Sequence, residues 1–115
     1  MSRRLLLLQL VVLSVCAVTG HAADKSYPDR PIRMIVPYAP GGNTDALARL
    51  IAQRLTQSLG QQVVVDNRPG GNTLIGTELV ARAPADGHTI MLTTLTFTVL
   101  PTLYKKMPYD TIKDF

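Results

Sequence analysis

The chain has 115 residues, of which 46% are apolar, 17% charged and 5% aromatic, with one Cys and a formal charge of +4. That length holds one small domain at most, at roughly 100–200 residues per domain. The apolar fraction argues against disorder, and a single Cys excludes an internal disulfide and any multi-Cys zinc site.

The first residues read as an address. Ser2-Arg3-Arg4 is a short basic start, and in residues 5–18 only Gln9 and Ser14 are polar. A span of the hydrocarbon core needs about 20 apolar residues, so this run is too short. It fits the apolar region of a secretory signal peptide. Gly20-His21-Ala22 supplies small residues where a signal peptidase reads, which predicts cleavage after Ala22. An anchor or a buried helix is the alternative. Lipidation at Cys16 is disfavoured, because Val15 stands where lipoprotein sites prefer a small residue. Without Arg3 and Arg4 the charge falls to +2, and Lys105-Lys106 is the only basic pair left. No basic stripe interleaved with aromatics remains for a nucleic acid.

Strand and helix then alternate. Residues 32–36, Ile-Arg-Met-Ile-Val between Pro31 and Pro37, read as a buried strand. Residues 38–44 are a loop by composition. Residues 45–59 read as a helix whose apolar face is Leu47, Leu50, Ile51, Leu55 and Leu59. Gly60 stands where a left-handed cap is needed. Residues 62–66 carry Val63-Val64-Val65 and read as a second strand. Residues 73–83 read as a shorter helix stopped by Pro84, and residues 88–94 as a third strand. Residues 99–104 form a short element around Pro101, followed by a loop-like tail. The order βαβαβ implies an α/β fold with a parallel sheet and helices on its faces.

One repeat carries the functional argument. Pro40-Gly41-Gly42-Asn43-Thr44 recurs letter for letter as Pro69-Gly70-Gly71-Asn72-Thr73, 29 residues later. Each copy follows a strand and opens a helix, which puts both at the carboxyl end of the sheet, where open α/β folds bind ligands. Gly pairs let the backbone approach a ligand closely, and a helix start offers N–H groups and a positive dipole to an anion. The alternative is two ordinary turns with Asn43, Thr44, Asn72 and Thr73 as caps. Asp45 is the one ionisable side chain beside a Gly loop. It either orients a ligand or is simply an acid in a helix first turn. No dinucleotide, P-loop, zinc-protease or nucleophile-elbow motif is present, and His88 reads as structural.

Several blocks, in order, resemble one family. They are Tyr27-Pro28-Asp29-Arg30-Pro31, Pro40-Gly41-Gly42-Asn43-Thr44-Asp45, Asn67-Arg68-Pro69-Gly70, Ala83-Pro84-Ala85-Asp86-Gly87 and Leu103-Tyr104-Lys105-Lys106-Met107-Pro108-Tyr109-Asp110. The chain resembles the Bug-type periplasmic solute-binding proteins of tripartite tricarboxylate transporters, from Tyr27 to Phe115. The resemblance implies a two-lobed periplasmic-binding-protein fold, type 2-like, that closes on a small carboxylate. It implies a receptor, not an enzyme, with no cofactor or metal, acting as a monomer with the membrane components of a transporter. The site residues it implies are Tyr38, Ala39, Gly41, Gly42, Asn43, Thr44 and Asp45 in the first loop. Gly70, Gly71, Asn72 and Thr73 in the second loop and Thr94 and Thr96 after the third strand complete them.

The chain departs from the family in three ways. Gly70-Gly71-Asn72-Thr73-Leu74 stands where the family commonly has a G-A-G-G-N-like stretch. Phe97 and Leu100 occupy positions where polar residues are usual. The length matches only the first part of lobe 1, residues 23–115 after a leader of residues 1–22, with the second lobe absent. The expectation is a receptor fragment that does not bind ligand alone. A co-receptor for a signalling partner and a truncated secreted α/β enzyme are the competing readings.

Overall fold

The computed structural model describes residues 26–115. The expected leader and Cys16 lie outside these residues. Three strands, β1 (Ile32–Val36), β2 (Val63–Asn67) and β3 (Thr89–Met91), form one parallel sheet in the order β2-β1-β3. Helix α1 (Asn43–Leu59) joins β1 to β2, α2 (Leu74–Ala81) joins β2 to β3, and α3 (Thr96–Leu103) follows β3. The expected βαβαβ order is observed.

The first connection moves outward from β1 and the second returns across it. Parallel crossovers are almost always right-handed, so reversing direction puts α1 and α2 on opposite faces of the sheet. The reversal also opens a crevice between the carboxyl ends of β1 and β3. β1 is central and covered on both sides, with Ile32, Met34, Ile35 and Val36 all buried. Ile32, Met34 and Val36 alternate onto one face and pack with Ala48, Ala52 and Val63. Each fully buried Ile or Val contributes roughly 1.5–3 kcal/mol.

Helix α1 corrects the expected apolar face. Leu47 and Leu50 are 51% and 54% exposed and Leu59 is exposed too, while Asp45, Ala48 and Ala52 are buried. Only Ile51 and Leu55 of the expected stripe pack against the core, from its margin. The buried face is spaced by three and four residues from an acid, and two alanines let the helix lie close to the sheet. The bonds that Asp45 makes fix the rotation of the helix. Gly60 ends it as expected, at φ 69, donating its N–H to Thr56 O at 3.1 Å.

Boundaries shift for identifiable reasons. β2 runs to Asn67 because Asn67 still pairs with Val36. β3 is three residues long because Thr93 and Thr94 turn away to meet Tyr38. The element around Pro101 is the helix α3, in which the hydroxyls of Thr98 and Thr102 donate to Leu95 O and Val99 O. Helix α2 presses on the strand ends through Gly76, where a Cβ would lie 2.7 Å from Arg68 O and 2.8 Å from Pro37 Cβ. At the opposite end of the sheet, His88 lies 3.2 Å from Asp29 and edge-on to Tyr27. That placement is far from both Gly loops.

Candidate functional site

Both copies of Pro-Gly-Gly-Asn-Thr leave carboxyl ends of adjacent strands, β1 and β2. In the first copy Gly41 takes φ 86 and Gly42 is the extended N-cap of α1, at φ −82 and ψ 172. Asn43 and Thr44 are already in the first helical turn. They are therefore not caps, and a Gly at the cap has no side chain to satisfy the first-turn N–H groups. Those groups and the helix dipole favour an anion.

Asp45 builds this loop from inside. It is 4% exposed and accepts three hydrogen bonds. Oδ2 accepts from the Gly41 N–H at 2.9 Å and from Arg49 Nε at 3.0 Å. Oδ1 accepts from Asn67 Nδ2 at 3.0 Å. The Arg49 bond first, then the Gly41 N–H and Asn67, hold its carboxyl down to about 2. The carboxylate is ionised at neutral pH, but its charge is answered by Arg49 on the next turn. The loop thus shows N–H groups to solvent and keeps its acid turned inward.

The third strand joins the first loop through Tyr38. The Tyr38 hydroxyl lies 2.7 Å from Thr94 Oγ1 and 3.3 Å from Thr93 Oγ1, and accepts from the Thr94 N–H at 3.2 Å. Thr94 Oγ1 lies 3.3 Å from Thr96 Oγ1. Burial pushes the phenol up, but the bonds to Thr93, Thr94 and Thr96 outweigh it and hold it below its ordinary value. These hydroxyls bridge the crevice between β1 and β3. They bring together Tyr38, Thr94 and Thr96, three of the residues singled out from the sequence.

The second copy folds differently. Gly70, Gly71, Asn72 and Thr73 have φ 126, 55, 53 and 74, a left-handed run, and the helix starts only at Leu74. A β-branched residue at positive φ is a genuine outlier. Thr73 is 5% exposed, and its hydroxyl has no hydrogen-bond partner among the described residues. The Arg68 N–H donates to Val36 O at 2.8 Å, which roots this loop beside the first. Asn72, Gly70 and Gly71 are exposed, as are Ala39, Gly41, Gly42 and Asn43. The residues expected to meet a ligand therefore lie at one end of the sheet, with Asp45 and Thr73 buried beneath it.

Sequence reasoning missed Asn67, Arg49 and Thr93. Arg49 had a signal, since it stands four residues after Asp45 on the helix. Asn67 opens the Asn67-Arg68-Pro69-Gly70 block but had no local reason to contact the other loop. A cavity of about 780 Å³ lies elsewhere, between α3 and the tail. Asp110 and Asp114 line it, which disfavours a carboxylate. Among the described residues no group of three potential ligands could hold a metal ion, and no helix is long and apolar enough to cross a membrane.

Residues 47–115 match the tripartite tricarboxylate transporter family receptor, TctC. The chain belongs to this receptor family. The periplasmic binding protein BugD is 45% identical, superposes with a TM-score of 0.74 and is covered to 30% by 77% of this chain. An R. palustris protein solved with adipate is 43% identical, with a TM-score of 0.69, over 74% of this chain and 29% of its own. MatC from Rhodopseudomonas palustris, solved with malate, is 37% identical, with a TM-score of 0.73, over 77% of this chain and 31% of its own. The chain spans about a third of the length of the curated relatives it matches, at 34% and 35% of two that are 42% and 40% identical. TctC-family members are solute-binding proteins, not enzymes.

Proposed function

We propose that this chain carries one wall of a carboxylate site in a periplasmic receptor that serves a tripartite transporter. The ligand class is a small dicarboxylate, by analogy with the neighbours solved with malate and adipate. One carboxylate is received by the first-turn N–H groups of α1 and the exposed Gly42 backbone, beside a Gly41 whose N–H is held by Asp45. The second Gly loop and the Thr94 and Thr96 hydroxyls border it. The observation that carries this reading is the inward acid. Asp45 lies beside the loop, yet Arg49, Gly41 and Asn67 occupy its oxygens. A free carboxylate there would repel an anion, and this one instead aligns donors for it. A leader over residues 1–22 would deliver the chain to the periplasm.

The chain spans about a third of its curated relatives' length, and by itself it is expected not to bind a dicarboxylate at micromolar concentration. The test is a chimera in which residues 26–115 replace the matching segment of MatC. Malate, adipate and succinate are expected to raise its melting temperature saturably, and the corresponding diamides are not. A folded chimera that no carboxylate stabilises would overturn the proposal.

A further inference from the structure

Asn67 is the last residue of β2 and the first of the segment that leads into the second Gly loop. Its side chain does not serve that loop. Nδ2 donates to Tyr38 O at 3.2 Å and to Asp45 Oδ1 at 3.0 Å, both in or beneath the first loop. Oδ1 accepts from Arg49 Nη2 at 3.4 Å. The backbone of Asn67 meanwhile pairs with Val36, where the first loop begins. One residue therefore holds the entry of the first loop at Tyr38, the acid that pins Gly41, and the root of the second loop. An amide suits this place, because two acceptors face its nitrogen and a donor faces its oxygen.

We propose that Asn67 is a positioning residue that locks the two Gly loops into one rigid clamp. A carboxylate then meets donors whose spacing is set before it arrives, so less ordering is needed on binding. The clamp's use for a carboxylate rests on the receptor reading above; the coupling between the loops does not.

The test compares Asn67→Ala and Asn67→Asp with the parent in the full 115-residue chain. The readout is hydrogen exchange of the Gly41 amide, which Asn67 does not touch and reaches through Asp45 and through the loop entry at Tyr38. Exchange is expected to speed up about tenfold in N67A, the scale of one lost hydrogen bond to a charged group. N67D is expected to exceed N67A, because it points a second acid at Asp45 and at Tyr38 O. A residue that merely filled space would give the opposite ranking, since Asp matches Asn in shape. Unchanged Gly41 exchange in both variants, or N67D indistinguishable from the parent, overturns the proposal. The same substitutions in the MatC chimera are expected to weaken malate binding at least about tenfold, on the same scale. If the parent chimera binds no carboxylate, the receptor reading fails, and Gly41 exchange still decides the role of Asn67.

Discussion

Pro40-Gly41-Gly42-Asn43-Thr44 and Pro69-Gly70-Gly71-Asn72-Thr73 are the same five residues in two backbones. The first enters a right-handed helix at its fourth residue, and the second stays left-handed through its fifth. Their downstream neighbours differ. Asp45 reaches back to the Gly41 N–H and, through Asn67, across to the neighbouring strand. Leu74 has no such reach, and two residues later Gly76 is pressed against Pro37 and Arg68. The second helix is placed by that contact, and the loop before it takes the path that remains. Turn chemistry thus sets what a loop can do, and the next turn of helix decides which of its conformations is used.

The largest expected effect comes from making the first loop resemble the second. Asp45→Leu removes the one buried acceptor that the Gly41 N–H, Arg49 and Asn67 share and forces a larger apolar side chain into its place. It should give the greatest loss of urea midpoint in this set. A pH dependence accompanies it. Because the folded carboxyl is held down to about 2, its stabilisation is complete above about pH 4, the range of an unfolded Asp. It disappears as pH falls through the folded value. An acid titration of stability should show a larger loss in the parent than in the Leu variant, which keeps Asp66, Asp86 and Asp110, whose carboxyls are also held below the ordinary range.

Gly76→Ala should come next, at about 1–3 kcal/mol of destabilisation, because its Cβ would overlap Arg68 O and Pro37. If α2 accepted it freely, the claim that this contact shapes the second loop would fail. Thr73→Gly should act in the other direction. Relief of a β-branched residue at φ 74 is expected to add about 1 kcal/mol, measured by denaturant unfolding. A loss instead would mean that the side chain is worth more than its strain.

The order of strands and helices was legible because its signals are local. Apolar runs between prolines marked the strands, and Gly60 marked the end of α1. The rotation of α1 was not legible. The leucines form the more hydrophobic stripe, and only a bond to Asn67, 22 residues further on, shows why Asp45, Ala48 and Ala52 face inward. The repeat lies at the carboxyl end of the sheet, as its place after two strands implied. It did not reveal that Asp45 acts from beneath the loop, because its partners come from three separate segments. Tyr38, Thr94 and Thr96 were named by resemblance, and the hydroxyl contacts that tie Tyr38 to the third strand are long-range as well.

The central claim is that a carboxylate meets the backbone of the two Gly loops while Asp45 holds the first loop from inside. Amide and carboxyl shift mapping of the MatC chimera during a malate titration tests it most directly. The largest amide shifts are expected at Gly42, Asn43 and Thr44, then at residues 70–73, with the Asp45 carboxyl still ionised and still bonded to Gly41. Shifts concentrated in the cavity between α3 and the tail, or an Asp45 carboxyl that leaves Gly41 to meet the ligand, would contradict it.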